Sequence, residues 1–138
     1  MKNDSTKQNL FDEERFKKEV EKAKKIYFSW PNEIHCHALN ENIKITRTGW
    51  EHIVNKQRRT KNQSYFRAKN FPQARKLIET INLVQDIRIE DKPHGTITYW
   101  ILQGILDKVI IQVVIRQIGN QPKHFLSIVY KGGAPRRK

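Results

Sequence analysis

The chain has a single cysteine, Cys36, so it can form neither an internal disulfide nor a multi-cysteine zinc site. No stretch approaches the ~18 apolar residues of a membrane-spanning helix. Met1 to Asn9 carry no apolar run of the kind a secretory leader needs. There is no Walker loop, no GxGxxG, no GxSxG and no HExxH, and no internal repeat. Acidic residues are also scarce. Fourteen Asp and Glu stand against 27 Lys and Arg, which leaves a net charge of +13.

The imbalance is local. Residues 44–76 hold 10 basic and 1 acidic side chain, and residues 108–138 hold 7 basic and none acidic. Residues 77–107 run the other way, with 2 basic and 5 acidic. If the two basic segments meet in the fold they form one cationic face, and a polyanion, above all a nucleic acid, is the partner that suits it. With 37% hydrophobic and 30% charged residues, the chain is globular rather than disordered. Its 138 residues suit one domain with a modest core.

Lys108 to Lys131 organises the rest. It reads as two β-strands broken by Gly119-Asn120-Gln121-Pro122. Alternation puts Val109, Ile111, Val113 and Ile115 on one apolar face, and Ile110, Gln112, Val114 and Arg116 on the other. In the following strand it groups Leu126, Ile128 and Tyr130 against Phe125, Ser127, Val129 and Lys131. Upstream, Val84–Glu90 and Thr96–Gln103 read as two more strands around the turn Lys92-Pro-His-Gly95. Helices come first. The spacing of Phe16, Val20, Ala23 and Tyr27 predicts one over Phe11–Phe28, with Asp12 as its N-cap and Pro31 beyond its end. A second is expected from Thr46 to Arg59, with a capping box at Thr48 and Glu51. A third opens at Phe71-Pro72 and buries Ala74, Leu77, Ile78 and Ile81. The expected fold is α+β, with N-terminal helices packed on an antiparallel sheet of about four strands. One domain spans 1–138: a helix over 1–30, a core over 33–131 and a flexible basic tail over 132–138.

His52, Lys56 and Arg59 share one stripe of the second helix, and a histidine beside two cations favours its neutral, proton-accepting form. His35 and His37 alternate on an extended segment and would make a metal pair only with a third ligand that the sequence does not supply at the usual spacing. Metal-free RNA cleavage needs a base for the ribose 2′-hydroxyl, cations for the phosphate and an acid for the leaving oxygen.

Thr48-Gly-Trp-Glu-His-Ile followed by Arg58-Arg59, the helix opening at Phe71-Pro72, Val113-Val-Ile-Arg116, and His124-Phe-Leu-Ser-Ile-Val-Tyr-Lys131 together resemble the phage-associated branch of the barnase/EndoU/RelE-like (BECR) ribonuclease superfamily. The resemblance covers roughly residues 35–131. It implies a helix-plus-antiparallel-sheet fold, metal-independent endoribonuclease activity without a cofactor, and use as a toxin or effector. The family habit of a helix His, a strand Arg or Lys and a late strand Ser or His maps onto His52, Arg116, and His124 or Ser127. A strand Glu of the barnase kind is missing, which leaves the base open. On this reading His52 is the favoured base, Arg116 and Lys131 hold the phosphate, Ser127 orients it, and His124 is the candidate acid. Arg47, Lys56, Arg58, Arg59 and Arg67 would track the RNA backbone, and Tyr99 would stack a base. The implied partners are RNA and an acidic immunity protein or antitoxin. The implied location is the cytoplasm of the producing cell or of a target cell. Two other classes fit the same charge: a non-catalytic RNA- or DNA-binding module, and a protein-interaction domain with an acidic partner.

Overall fold

The structure, a computed structural model, describes backbone residues 2–54, 67–106 and 108–133, and side chains at 14–51, 67–105, 108–129 and 131. It is α+β, with a six-stranded, mostly antiparallel sheet carrying helices on one face. The described elements are α1 (Lys2–Ser29), β1 (Glu33–Cys36), β2 (Glu41–Lys44), α2 (Arg47–Val54), α3 (Pro72–Thr80), β3 (Asp86–Lys92), β4 (Gly95–Leu106), β5 (Val109–Ile118) and β6 (His124–Gly133). The strand order is β1-β2-β6-β5-β4-β3.

The meander from β3 to β6 follows the expected order, but its first strand is Asp86–Lys92 rather than Val84–Glu90, and its second extends from the expected Thr96–Gln103 to Gly95–Leu106. Gly95 (φ 139) and Gly119 (φ 55) occupy the turns, where a Cβ would be strained. Two further strands exceed the expected four. Glu33–Cys36 alternates exposed and buried residues, and it pairs antiparallel with Glu41–Lys44 across a turn closed by Asn40 (φ 51). This hairpin joins the meander by the one parallel contact of the sheet, Lys44 beside His124. Four-residue strands give too short a period to stand out in sequence, and a parallel long-range pairing leaves no local mark.

Other boundaries moved for identifiable reasons. α1 begins at Lys2 because neither glycine nor proline occurs before Pro31, so Asp12 lies inside the helix and is not its cap. α2 begins at Arg47, which leaves Thr46 outside and puts Thr48 in the first turn. The Thr48–Glu51 capping box is therefore out of place. The Thr46 hydroxyl is buried without a hydrogen-bond partner among the described residues. Gly132 and Gly133 belong to β6, where Gly133 pairs with Val109, and not to a free tail. The expected helix beyond Val54, and residues 134–138, lie outside the described residues.

The core lies between the sheet and the helices. Ile34, Cys36, Ile43, Leu102, Ile111, Val113, Ile115, Phe125 and Ile128 meet Ala23 and Tyr27 of α1, Trp50 of α2, Phe71, and Ala74, Leu77 and Ile78 of α3. Pro72 takes the first position of α3, as its missing N–H allows, and Phe71 precedes it in helical conformation. Tyr27 is the hub of the aromatic contacts, within 5.9 Å of Trp30, Trp50 and Phe71 between ring centroids. Its hydroxyl donates to the Thr46 carbonyl at 2.5 Å, tying α1 to the start of α2.

Candidate functional site: a polar row across the sheet

Strict alternation would place His124 and Ser127 on opposite faces. The structure breaks the alternation with a β-bulge. Ile115 pairs with Phe125 but Val114 pairs with Ser127, so Leu126 is the extra residue. Phe125 and Ile128 can then both reach the core, although the sequence pattern had separated them. His124 and Ser127 fall opposite Arg116 and Val114, which belong to the same alternate set of β5.

Successive pairings build one row over all six strands. Arg88 lies beside Tyr99, Tyr99 beside Arg116, Arg116 beside His124, His124 beside Lys44, and Lys44 beside Glu33. Directly paired residues share a sheet face. Their neighbours along the strands, Ile34, Ile43, Phe125, Ile115 and Trp100, belong to the core or pack against it, so the row lies on the face away from the helices. Apart from the Tyr99 ring, every side chain in it carries charge or an imidazole.

The centre of the row is a hydrogen bond. Arg116 Nε–H donates to His124 Nε2 at 3.0 Å, and both side chains are partly buried. An accepting Nε2 has a free lone pair, so the proton of the neutral imidazole sits on Nδ1. On one side, the Tyr99 hydroxyl is held above its ordinary pKa, first by burial and then by the Glu90 carboxylate, while Arg116 pulls the other way. It therefore stays protonated and able to donate. On the other side, Lys44 Nζ lies 3.2 Å from Glu33 Oε2 in an exposed ion pair.

Ser127 is differently placed. It is buried, accepts a hydrogen bond from Arg67 Nη1 at 2.8 Å, and donates weakly to the Ile128 carbonyl at 3.3 Å. Lys131 is exposed on β6, and Arg47 is exposed at the first position of α2. His52 belongs to α2, whose Trp50 packs into the core, but its side chain lies outside the described ones. Lys56, Arg58 and Arg59 lie outside the described residues. The two basic segments do meet, through Lys44 beside His124 and Arg67 on Ser127. His35 Nδ1 lies 3.2 Å from Asn42 Oδ1, and no group of three or more His, Cys, Asp or Glu is arranged to hold a metal among the described residues.

Sequence reasoning missed Lys44, Arg88 and Glu33 as members of the row. Each is an ordinary charged residue until strand register sets it beside its neighbours. Comparison with known proteins returns no matching family model, no matching curated protein and no matching solved structure. Among the described residues no helix is long and apolar enough to cross a membrane.

Proposed function

We propose that the chain is a metal-independent endoribonuclease of toxin or effector type, acting on RNA laid across the polar row. The observation that carries this reading is the Arg116–His124 hydrogen bond at the middle of a six-strand polar row that also holds Arg88 and Lys44. In the free protein Arg116 occupies the imidazole lone pair. A bound phosphodiester would draw the guanidinium onto its non-bridging oxygens, because a charged acceptor competes better than a neutral nitrogen. That frees His124 Nε2 to take the 2′-hydroxyl proton. The 2′-oxygen then bonds to phosphorus, the bond to the 5′-oxygen breaks as water protonates that oxygen, and the products are a 2′,3′-cyclic phosphate and a 5′-hydroxyl, with His124 later returning its proton to solvent. Arg116 would stabilise the charge growing on the phosphate, and the Tyr99 hydroxyl, on leaving the Glu90 carboxylate, would supply a further donor beside it. Lys44 and Arg88 would extend the contact along the strand backbone.

This reading moves the base from His52 to His124, on the strength of the geometry around Arg116. Ser127 is not assigned to the phosphate, since it is buried and engaged by Arg67. A cell making such an enzyme would need an inhibitor, and an acidic immunity protein or antitoxin suits a chain of net charge +13.

The test is incubation of the purified protein with total RNA in excess EDTA, with analysis of fragment ends. Cyclic phosphate ends at discrete sites support the reading. Intact RNA that is nonetheless bound makes the row a binding surface instead. Cleavage abolished by EDTA replaces the mechanism with a metal-dependent one.

A further inference from the structure

β3 closes one edge of the sheet, and all seven of its residues are exposed. A long open edge invites another strand, and natural proteins usually blunt it with charge. Five of the seven residues here are charged, but their order does more than repel. Ile87 and Ile89, on the same side as Trp100, are 53% and 64% exposed. We infer that β3 is a homodimer seam, pairing antiparallel with β3 of a second copy about a two-fold axis through Ile89.

In that register Ile89 meets Ile89, Arg88 meets Glu90, and Asp86 meets Lys92, each ionic pair occurring twice by symmetry. Opposite charges directly across a sheet stabilise the pairing, and like charges oppose it. A slip of two residues in one direction sets Arg88 against Arg88. In the other direction it sets Glu90 against Glu90. The strand is therefore complementary to itself in one same-face register and repelled by its neighbours. It also lies in the acidic stretch of the chain, residues 77–107, where a molecule of net charge +13 repels its own copy least.

Glu90 also accepts from the Tyr99 hydroxyl of its own chain, and the ion pairs that would change partner are lightly held. Arg88 Nε lies 3.2 Å from Asp86 Oδ2, and Lys92 Nζ lies 3.8 Å from Glu90 Oε2, both in exposed ion pairs of small worth. The Ile87 N–H donates to Asp86 Oδ1 at 2.9 Å. In the dimer it would exchange that acceptor for the Asp91 carbonyl of the second copy, as a hydrogen-bonded antiparallel pair requires. A seam one strand long belongs to the weak class of interfaces. The consequence is one twelve-strand sheet with two polar rows on one continuous face.

Sedimentation of the full chain, freed of nucleic acid, at low salt and from micromolar to millimolar concentration tests this. The wild type should pass from monomer to dimer. R88E and E90R should each raise the dissociation constant about tenfold or more, since each replaces two attractive pairs by two repulsive ones. The double variant R88E/E90R, with the charges exchanged, should restore it. Circular dichroism serves as the folding control for every variant. A wild type that stays monomeric throughout, a dimer indifferent to R88E, or a double variant no better than the singles overturns the inference.

Discussion

Arg116 donates to His124 across 3.0 Å, so the central cation and the only imidazole of the row are joined before any ligand arrives. Their effects on cleavage should therefore be coupled. R116A and H124A should each lower the rate on the order of 10²-fold, the range of lost acid–base or electrostatic catalysis. The variant lacking both should fall well short of the product of the two losses, because groups that act as a unit are not additive. Single-turnover rates on one RNA substrate give the comparison, with thermal melts to confirm folding. Multiplicative losses would show two independent roles and would remove His124 from the proposed pair.

Ser127 separates a structural from a catalytic role. Ser127→Ala removes a buried hydroxyl that receives Arg67 Nη1 at 2.8 Å. We expect a stability loss of about 1.5–3 kcal/mol, the range for losing a hydrogen bond to a charged group. Urea unfolding measures it. Cleavage per folded molecule should be little changed; a hundredfold loss in a fully stable variant would return Ser127 to the phosphate.

Gly49 is needed where α2 crosses β6. A Cβ there would lie 2.5 Å from the Tyr27 hydroxyl oxygen, 2.8 Å from the Phe125 ring and 2.9 Å from the Phe125 carbonyl oxygen. Replacing a helical glycine by alanine ordinarily gains about 1 kcal/mol in propensity. Overpacking against a ring and a backbone oxygen costs about 1–3 kcal/mol, and the Tyr27–Thr46 hydrogen bond would be disturbed as well. The net effect of Gly49→Ala should be destabilising, read as a lower melting temperature. A rise would mean that α2 can move away from β6 without penalty.

Alkaline pH should weaken the fold through Tyr27. Burial pushes its hydroxyl well above the ordinary tyrosine value, outweighing the backbone hydrogen bonds that lower it. Below about pH 10 both folded and unfolded chains keep the proton, so stability is unaffected. Above it the unfolded chain releases its proton first, and stability falls with each further rise until the folded value is reached. Tyr27→Phe should be less stable near neutrality, where it lacks the bond to the Thr46 carbonyl, and should lose less stability between pH 9 and 11. Equal slopes in the two proteins would locate the alkaline sensitivity elsewhere. Tyr99, also shifted upward, supplies a residual slope in both.

The legible parts of the chain were those whose signals are local. Ala74, Leu77 and Ile78 declared α3, and Val113 and Ile115 declared the buried face of β5, because a period of 3.6 or 2 is written within a few residues. Arg116 stood out as a charge in an apolar strand. The bulge at Leu126 did not stand out. It adds one residue to an unbroken run of good strand formers, and only the facing strand reveals it. Lys44 and Glu33 were illegible for a related reason: their place beside His124 depends on a parallel contact between distant segments.

That parallel contact also sets an order of events. The meander from β3 to β6 can form from near neighbours, but residue 44 must wait for residue 124 before β1 and β2 can join the sheet. During synthesis the ribosome delivers Lys44 long before its partner. The row is therefore unfinished on the nascent chain until β6 emerges.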